Sequence, residues 1–271
     1  FTPSDEIVTG VAVEDSGRIL LSVRVSRSEG YIVRLDSDGA ADSTFGTGGV
    51  AKLEGMDGTT AGAEDVFFRG GDVAAIGGHH EMGPGNGDFG LWRTSTDGMS
   101  FVSYPANLAP NVSVWDGALG PGGRLAITGW VTQASLIQEG GIALFDLDEQ
   151  AFVSGFGSSG TLRFNAGDGT SFFRSAFDGN GRLVVVGHVS NADDTDDILM
   201  VRLDADTGAV DTSFGDEGKF QMSLSDAIEP TGSATETLRS VLIDPQGRIV
   251  VGGWSTNGDG DFEAFIARIC P

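Results

Sequence analysis

The 271-residue sequence has one cysteine, no long apolar run and no segment with convincing helical periodicity. Cys270 has no partner for an internal disulfide, so cysteine usage does not identify a redox compartment. No stretch approaches the roughly 18 apolar residues that a membrane-spanning helix requires. No window keeps apolar residues at helical spacing over about ten positions. The sequence therefore predicts no membrane span and no long helix.

Basic residues are also scarce. The chain has 16 Lys and Arg against 39 Asp and Glu, which gives a net charge of −23 at pH 7. A nucleic-acid partner requires a basic face, so this composition argues against nucleic acid, and also against an anionic membrane surface. It suits a soluble, self-repelling protein or one with cationic partners. A solvated acidic surface explains the charge without any partner.

Signatures of nucleophilic catalysis are missing as well. The sequence contains no G-x-S-x-G motif, and its one cysteine lies at the penultimate position. Paired carboxylates can hydrolyse glycosides, but a chain with 39 acidic residues always offers a pair by chance. The chain begins at Phe1 and not at methionine, so we expect a processed or excised product. Processing favours an extracellular, cell-surface or periplasmic location.

Glycine, in contrast, is abundant at 43 residues, and much of it belongs to an internal repeat. A Gly-Arg step, with one degenerate Gly-Asp copy, recurs at intervals of 54, 52, 58 and 66 residues. The anchor residues of this step are Arg18, Asp72, Arg124, Arg182 and Arg248. We therefore divide the chain into five repeats of about 57 residues: 1–54, 55–108, 109–166, 167–226 and 227–271.

Each repeat shows the pattern of four short strands. In repeat 4, the apolar strand "SFFRSAF" (171–177) leads through the turn "DGNG" to a β-branched strand, "RLVVVGHV". A variable loop, the strand "ILMVRL" (198–203), a D-x-x-F-G turn and the strand "KFQMSL" (219–224) follow. Four antiparallel strands repeated five times predict an all-β, five-bladed β-propeller that forms a single domain over 1–271. A pair of β-sandwiches would explain the strands but not the regular period.

The D-x-x-F-G turn is predicted to form the corner before each outer strand. Its phenylalanines Phe45 and Phe214, and Phe156 in the variant "VSGFG" of repeat 3, should be buried between neighbouring blades, and the glycine that follows each can adopt a positive φ. Repeat 5 ends soon after its third strand. We therefore expect Phe1 to Ser4 to approach residues 264–270 and complete the ring.

These residues carry a resemblance to a known family. The segment "LDADTGAVDTSFGDEG" (203–218), together with the strand pair of the type "DPQGRIVVGG" (244–253), resembles the bacterial delta-60 repeat family. The resemblance covers essentially the whole chain and is weakest in repeat 2, where "TDGMSFVSYP" replaces the corner. It implies a propeller-like fold on secreted or surface bacterial proteins. It implies no particular reaction and carries no catalytic residues.

The loops divide into two kinds, which propeller geometry places on opposite faces. Turns such as "GPGG" and "DPQG" are short and regular, whereas loops such as "VTQASLIQEGG" (131–141) and "VSNADDTDD" (189–197) are long and irregular. Irregular loops on a regular scaffold are where binding residues usually lie. We therefore predict that the irregular face carries any functional site.

Aromatic and charged residues are predicted to collect on this irregular face. Aligned on the anchors, the end of the second strand is occupied in successive repeats by Arg24, Gly78, Trp130, His188 and Trp254. Near the innermost strands stand Trp115, Asp116, Phe172 and Phe173. Aromatic faces with nearby carboxylates can hold a sugar, or a cation by charge and π attraction. Packing between blades explains the same tryptophans without a ligand.

Metal binding is a further interpretation of this face. The three histidines, His79, His80 and His188, all fall on it and would suit a transition metal. The acidic turns 36–42, 191–197 and 257–263 invite a Ca²⁺ site, although none of them matches an EF-hand loop. Surface histidines and turn-capping Asp and Asn residues explain the same features. No cofactor is certain, and Ca²⁺ and a transition metal both stay open.

Two functions of different classes follow. The first is a secreted or cell-surface binding module that takes a small-molecule, glycan or cationic ligand on the acidic, aromatic face. The second is a hydrolase or metal-dependent enzyme at the axial opening of that face. The binding module is our primary prediction, and the enzyme is its alternative.

Overall fold

The computed structural model describes residues 6–26, 29–54, 60–80, 87–94, 97–108, 111–132, 137–192, 195–223, 235–256 and 261–269. Within these ranges the regular structure is β-strand, apart from one 3-10 turn at Pro121–Gly123. No helix in the described part of the chain is long and apolar enough to cross a membrane. The predicted all-β class is confirmed.

The chain divides into two compact units, which we call the N-terminal unit (Phe1–Val114) and the C-terminal unit (Trp115–Pro271). The strands of the N-terminal unit are β1 (Ile7–Val13), β2 (Ile19–Ser26), β3 (Glu29–Leu35), β4 (Val50–Lys52), β5 (Thr60–Ala61), β6 (Asp65–Arg69), β7 (Asp72–His80), β8 (Gly87–Thr94) and β9 (Val102–Pro105). They follow the order β1-β2-β3-β5-β7-β8-β9, with β4 on β3 and β6 on β7. Repeats 1 and 2 therefore each supply four antiparallel strands, joined through the short strand β5.

The C-terminal unit begins within β10 and contains three separate sheets. Repeat 3 forms β10-β11-β12-β13, with β14 also on β12, repeat 4 forms β15-β16-β17-β18, and repeat 5 forms β19-β20-β21. These strands are β10 (Val112–Leu119), β11 (Arg124–Thr132), β12 (Gln138–Asp146), β13 (Ala151–Phe152), β14 (Thr161–Phe164), β15 (Gly169–Phe177), β16 (Leu183–Ser190), β17 (Asp196–Leu203), β18 (Lys219–Met222), β19 (Glu236–Ile243), β20 (Ile249–Thr256) and β21 (Phe262–Ile269).

The predicted repeat of four antiparallel strands is thus confirmed for several repeats. The number of blades and the single-domain organisation stay predictions. The predicted contact between Phe1–Ser4 and 264–270 involves residues 1–4 and 270, which lie outside the described residues.

Packing of sheet on sheet explains why the second strand of each repeat is so apolar. In β16 the side chains alternate between two cores: Val185 packs with strands of repeats 3 and 4, and Val184 and Val186 pack with strands of repeats 4 and 5. All three valines are fully buried. A strand that is buried on both faces needs continuous β-branched residues and not alternating polar ones.

The corners are formed as the sequence predicts. Phe45, Phe156 and Phe214 are 0%, 0% and 3% exposed. The amide of each ring-bearing residue bonds to the carbonyl three positions before it, and its own carbonyl accepts from the glycine four positions later. The glycine directly after each phenylalanine has a φ between 51° and 55°. A side chain at Gly208 of repeat 4 would touch the Phe156 ring at 3.4 Å, so this ring fills the space between two repeats.

Candidate functional site

A bulge recurs in the innermost strands. The register of β1 with β2, of β15 with β16 and of β19 with β20 skips one residue, at Thr9, Phe173 and Arg239 respectively. Each of these residues stands nine positions before the anchor of its repeat, and Trp115 and Ala63 hold the same place in repeats 3 and 2. A bulge re-aims the side chain of the extra residue away from the regular pleat. We call these five positions the bulge column.

In the C-terminal unit, three members of the bulge column meet. The rings of Trp115 and Phe173 pack edge to face with their centroids 5.2 Å apart. The guanidinium of Arg239 lies 3.7 Å from the Phe173 centroid and 5.3 Å from the Trp115 centroid. Phe173 is buried, whereas Trp115 keeps 39% of its surface exposed. Three consecutive repeats therefore build one aromatic and cationic surface, which we call the inner-strand cluster.

Asp116 lies beside this cluster and is held by two kinds of donor. Its Oδ2 accepts hydrogen bonds from the Ser175 amide at 2.8 Å and the Ser175 hydroxyl at 3.3 Å, and its Oδ1 lies 3.7 Å from Arg174 Nε. Burial raises the pKa of Asp116 to about 6, because desolvation outweighs the opposing effects of Arg174 and the hydrogen bonds. A carboxyl group that titrates near neutral pH therefore borders the cluster.

His188, at the end of β16, adds a neutral imidazole. Its ring packs edge to face on Phe173 at 5.3 Å. Burial lowers the pKa of His188, Asp196 opposes this change, and the charge of Arg239 adds to it. Its Nδ1 is buried and finds no hydrogen-bond partner among the described residues. The neutral ring therefore offers a polar atom that the described structure does not use.

Arg174 holds the backbone of the cluster together. Its Nη1 donates to the carbonyl oxygens of Phe173 at 2.7 Å and Trp115 at 3.2 Å. It therefore links the innermost strands of repeats 3 and 4, while its Nε faces Asp116. The guanidinium of Arg239 has a different environment, because it makes no hydrogen bond or ion pair with any described residue.

Other predicted ligand residues make contacts within their own units. Trp254 packs edge to face on Phe262 of β21 at 5.0 Å, within its own sheet. Trp130 is half-buried on β11, opposite Gly140 of β12. Among the described residues, no ring contact joins Trp130, His188 and Trp254. Arg24, in the N-terminal unit, forms an ion pair with Glu64.

The structure describes only some of the residues in the predicted metal sites. The backbones of His79 and His80 lie on β7, opposite Asp88 and Gly87 of β8, but their side chains lie outside what the structure describes. Much of the irregular loops, 81–86 and 224–234 above all, also falls outside the described residues. Within the described ranges, no three His, Cys, Asp or Glu residues converge as metal ligands would. Ca²⁺ and transition-metal binding stay predictions.

Sequence reasoning missed Arg239 and Arg174. It compared the repeats at the end of the second strand, where aromatic residues are conspicuous. The bulge column was available by the same alignment, since it lies nine positions before each anchor and changes from Thr9 and Ala63 to Trp115, Phe173 and Arg239. That change from small to large side chains at a fixed position is the signal that would have found the cluster.

A concavity lies among the regular turns of repeats 3 and 4. It has a volume of about 380 Å³ and is lined by Phe177, Asn180 and several charged residues. Its arginines already have carboxylate partners: Arg182 pairs with Asp178 at 2.7 Å and Asp211 at 2.8 Å, and Arg124 pairs with Asp146 at 3.3 Å. This groove therefore offers less unused binding capacity than the inner-strand cluster.

Comparison with known proteins supports the fold. The family described as "Domain of unknown function (DUF5122) beta-propeller" matches three segments, 16–45, 179–214 and 245–270. These segments contain the anchors of repeats 1, 4 and 5, and two of them end at the corner phenylalanines Phe45 and Phe214. The chain is thus similar to a propeller repeat family over part of its length. No curated protein matches it in sequence.

Solved structures with similar folds include three propeller-like proteins. The α-L-arabinofuranosidase Arb93A from Fusarium graminearum, in complex with an iminosugar inhibitor, has a TM-score of 0.50 and 11% identity, over 93% of this chain and 71% of that one. A GH43 endo-arabinanase from Bacillus licheniformis has a TM-score of 0.43 and 10% identity, over 98% and 95% of the two chains. The β-propeller domain of the trilobed protease from Pyrococcus furiosus has a TM-score of 0.41 and 11% identity, over 77% and 58%. The likeness to the Fusarium enzyme is one of fold alone.

Proposed function

We propose that this protein is a secreted or cell-surface glycan-binding module, and that the inner-strand cluster is its binding site. We further infer that the five groups of strands are the five blades of one propeller of the delta-60 repeat type. In that arrangement the bulge column surrounds the axis, and Trp115, Phe173 and Arg239 occupy three consecutive places in it.

The exposed face of Trp115 carries this proposal. Its ring is fixed edge to face on the buried Phe173, yet 39% of its surface stays open. A rigid indole with a free face is suited to stacking on a sugar ring, because it offers apolar area at little conformational cost.

Polar groups around the indole supply the second requirement for a sugar site. Asp116 and the unpaired Nδ1 of His188 border the same cluster. Small-molecule sites combine apolar walls with a few convergent polar groups, which fix the orientation of the ligand. We assign hydroxyl recognition to Asp116 and His188, while Trp130, Trp254 and Arg24 stay predicted as additional ligand contacts.

The neighbouring structures are compatible with this proposal at the level of the scaffold. By its title, the Fusarium protein is an arabinofuranosidase with a bound iminosugar inhibitor. At 11% identity, its similarity to this chain supports the fold and identifies no site residue. The proposal therefore depends on the cluster and not on the likeness.

Replacement of Trp115 by alanine tests the proposal. Affinity for a panel of neutral and uronate-containing oligosaccharides would be measured by calorimetry, with the melting temperature recorded in parallel. We expect Trp115→Ala to weaken binding by about 1–3 kcal/mol, as for a lost aromatic anchor, without unfolding the protein. Phe152→Ala is the matched control, because this half-buried ring packs edge to face on the buried Phe145 at 5.2 Å and not on the inner-strand cluster. Unchanged affinity with a lowered melting temperature would assign Trp115 to packing.

A hydrolase is the second candidate, and one observation favours it. A carboxyl group with a pKa of about 6 is suited to donate a proton to a glycosidic oxygen near neutral pH. Glycoside hydrolysis also needs a second carboxylate within about 10 Å. Release of reducing ends from the bound oligosaccharide, abolished in Asp116→Asn, would establish this activity.

A further inference from the structure

Arg239 differs from four other arginines of the C-terminal unit. Arg124, Arg182, Arg202 and Arg248 all lie within 3.5 Å of a carboxylate oxygen. Arg239 is half-buried, and its guanidinium contacts only two aromatic rings among the described residues. In a chain with 39 acidic residues, a half-buried guanidinium without a carboxylate is an exception that requires a reason.

The surroundings hold this charge in place without neutralising it. Phe173 supports one face of the guanidinium at 3.7 Å, and Trp115 lies near it at 5.3 Å. Stacking on a ring leaves the in-plane N–H donors of arginine free to bond elsewhere. Asp116, the carboxyl group of the cluster, directs its oxygens to Ser175 and Arg174 instead. The N–H donors along the edge of the Arg239 guanidinium therefore have no acceptor among the described residues.

The charge balance of the site points in the same direction. Arg174 adds a second positive charge, and burial together with that charge lowers the pKa of Arg239. Burial also lowers the pKa of His188, so the imidazole adds no charge at neutral pH. An incoming anion would be attracted by both arginines. Carboxylates fit the planar fork of a guanidinium with two parallel hydrogen bonds.

We propose that the inner-strand cluster binds an acidic glycan, with the carboxylate of a hexuronate residue on the edge of Arg239 and a sugar ring on Trp115. This inference rests on the proposed glycan-binding function and narrows it to one substrate class. It also replaces the cationic ligand that the acidic composition suggested, because two arginines of this region, Arg174 and Arg239, outnumber its one carboxylate, Asp116.

The test compares two trisaccharides that differ in the carboxylate, trigalacturonate and galactotriose, by calorimetry on the intact protein in 150 mM salt. We expect trigalacturonate to bind at least tenfold more tightly. Arg239→Met keeps the apolar stem over Phe173 and should remove this preference, while Arg239→Lys should retain part of it. Arg268→Met is the control, because it makes the same change of charge at an exposed position of β21.

The outcomes separate this inference from the proposed function. Equal affinity for the two trisaccharides, or a preference that survives Arg239→Met, overturns the hexuronate assignment and leaves glycan binding intact. Failure of both trisaccharides to bind, while acetate still binds in an Arg239-dependent manner, overturns glycan binding together with the hexuronate assignment. Loss of the preference in Arg268→Met as well would show that bulk charge, and not the cluster, selects the ligand.

Discussion

The bulge column has opposite roles in the two units. In the N-terminal unit, the Thr9 hydroxyl donates to the Ala63 carbonyl oxygen at 3.0 Å and lies 3.0 Å from Ser22 Oγ, and the Ala63 side chain is fully buried. In the C-terminal unit, the same positions carry Trp115, Phe173 and Arg239, which leave an indole face and a guanidinium edge unused. In the N-terminal unit the polar group of the column is hydrogen-bonded, whereas in the C-terminal unit the guanidinium of the column has no hydrogen-bond partner among the described residues.

Under the proposed function, this difference explains how a repeated fold acquires a site. The backbone device is shared, since β1, β15 and β19 skip one residue at the same place. A bulge re-aims whichever side chain it carries. A small hydroxyl at that position is satisfied by the neighbouring backbone, while a large ring or a guanidinium extends past it. Under the proposed function, the choice of side chain at this position separates structural from functional repeats.

The largest effect is expected where the two units are the same, at the corners. Phe45 and Phe214 are both buried, and each carries an arginine guanidinium 4.7 Å from its ring. We expect Phe45→Ala and Phe214→Ala each to lower the free energy of unfolding by roughly 3–5 kcal/mol, measured by urea denaturation. Phe262→Ala, at an exposed aromatic position, should cost less than about 0.5 kcal/mol. A loss below about 1 kcal/mol at either corner would show that the corners are not equivalent.

A smaller change in the free energy of unfolding is expected on substitution of Asp116, a partly buried carboxyl group of the C-terminal unit. Its pKa of about 6 exceeds the ordinary value of about 3.9, so between pH 4 and 6 the folded state binds more protons than the unfolded state. Stability therefore falls as pH rises through that interval, and the ionised carboxylate remains costly at pH 7. Asp116→Asn should raise the free energy of unfolding by about 1–2 kcal/mol at pH 7, after allowance for the lost attraction to Arg174.

The pH dependence makes that prediction specific. Below about pH 4 Asp116 is protonated in both states, so the advantage of the asparagine should vanish there. Chemical denaturation at pH 3.5, 5 and 7 measures the difference. Asp206→Asn is the control, because its side chain is 81% exposed and should give no such trend. A constant difference across the range would exclude the buried carboxylate as its cause.

The same comparison explains what the sequence could predict. The strands and corners follow from local signals, because a glycine with positive φ and an apolar ring recur at one spacing, as at Phe156 and Phe214. The cluster joins side chains from three repeats, and two of its members, Phe173 and Arg239, lie at bulges. A regular alternation along "TLRSVLI" gives no sign that Arg239 leaves the pleat. Pairing irregularities of this kind depend on the partner strand, so the sequence of one strand does not reveal them.

The smallest effect is expected at Thr9, the member of the bulge column that forms hydrogen bonds in the N-terminal unit. Thr9→Val keeps the shape of the side chain and removes the hydroxyl that bonds to the Ala63 carbonyl and lies beside Ser22 Oγ. The loss of one partly buried hydrogen bond should lower the free energy of unfolding by about 1 kcal/mol. Affinity for the trisaccharides should not change, because Thr9 serves only the backbone around it. Phe173→Leu, at the equivalent bulge of repeat 4, should instead weaken binding, since Arg239 and Trp115 both lose the ring that positions them. If Thr9→Val altered ligand affinity as Phe173→Leu does, the column would function in both units, and the contrast between a structural and a functional half would be wrong.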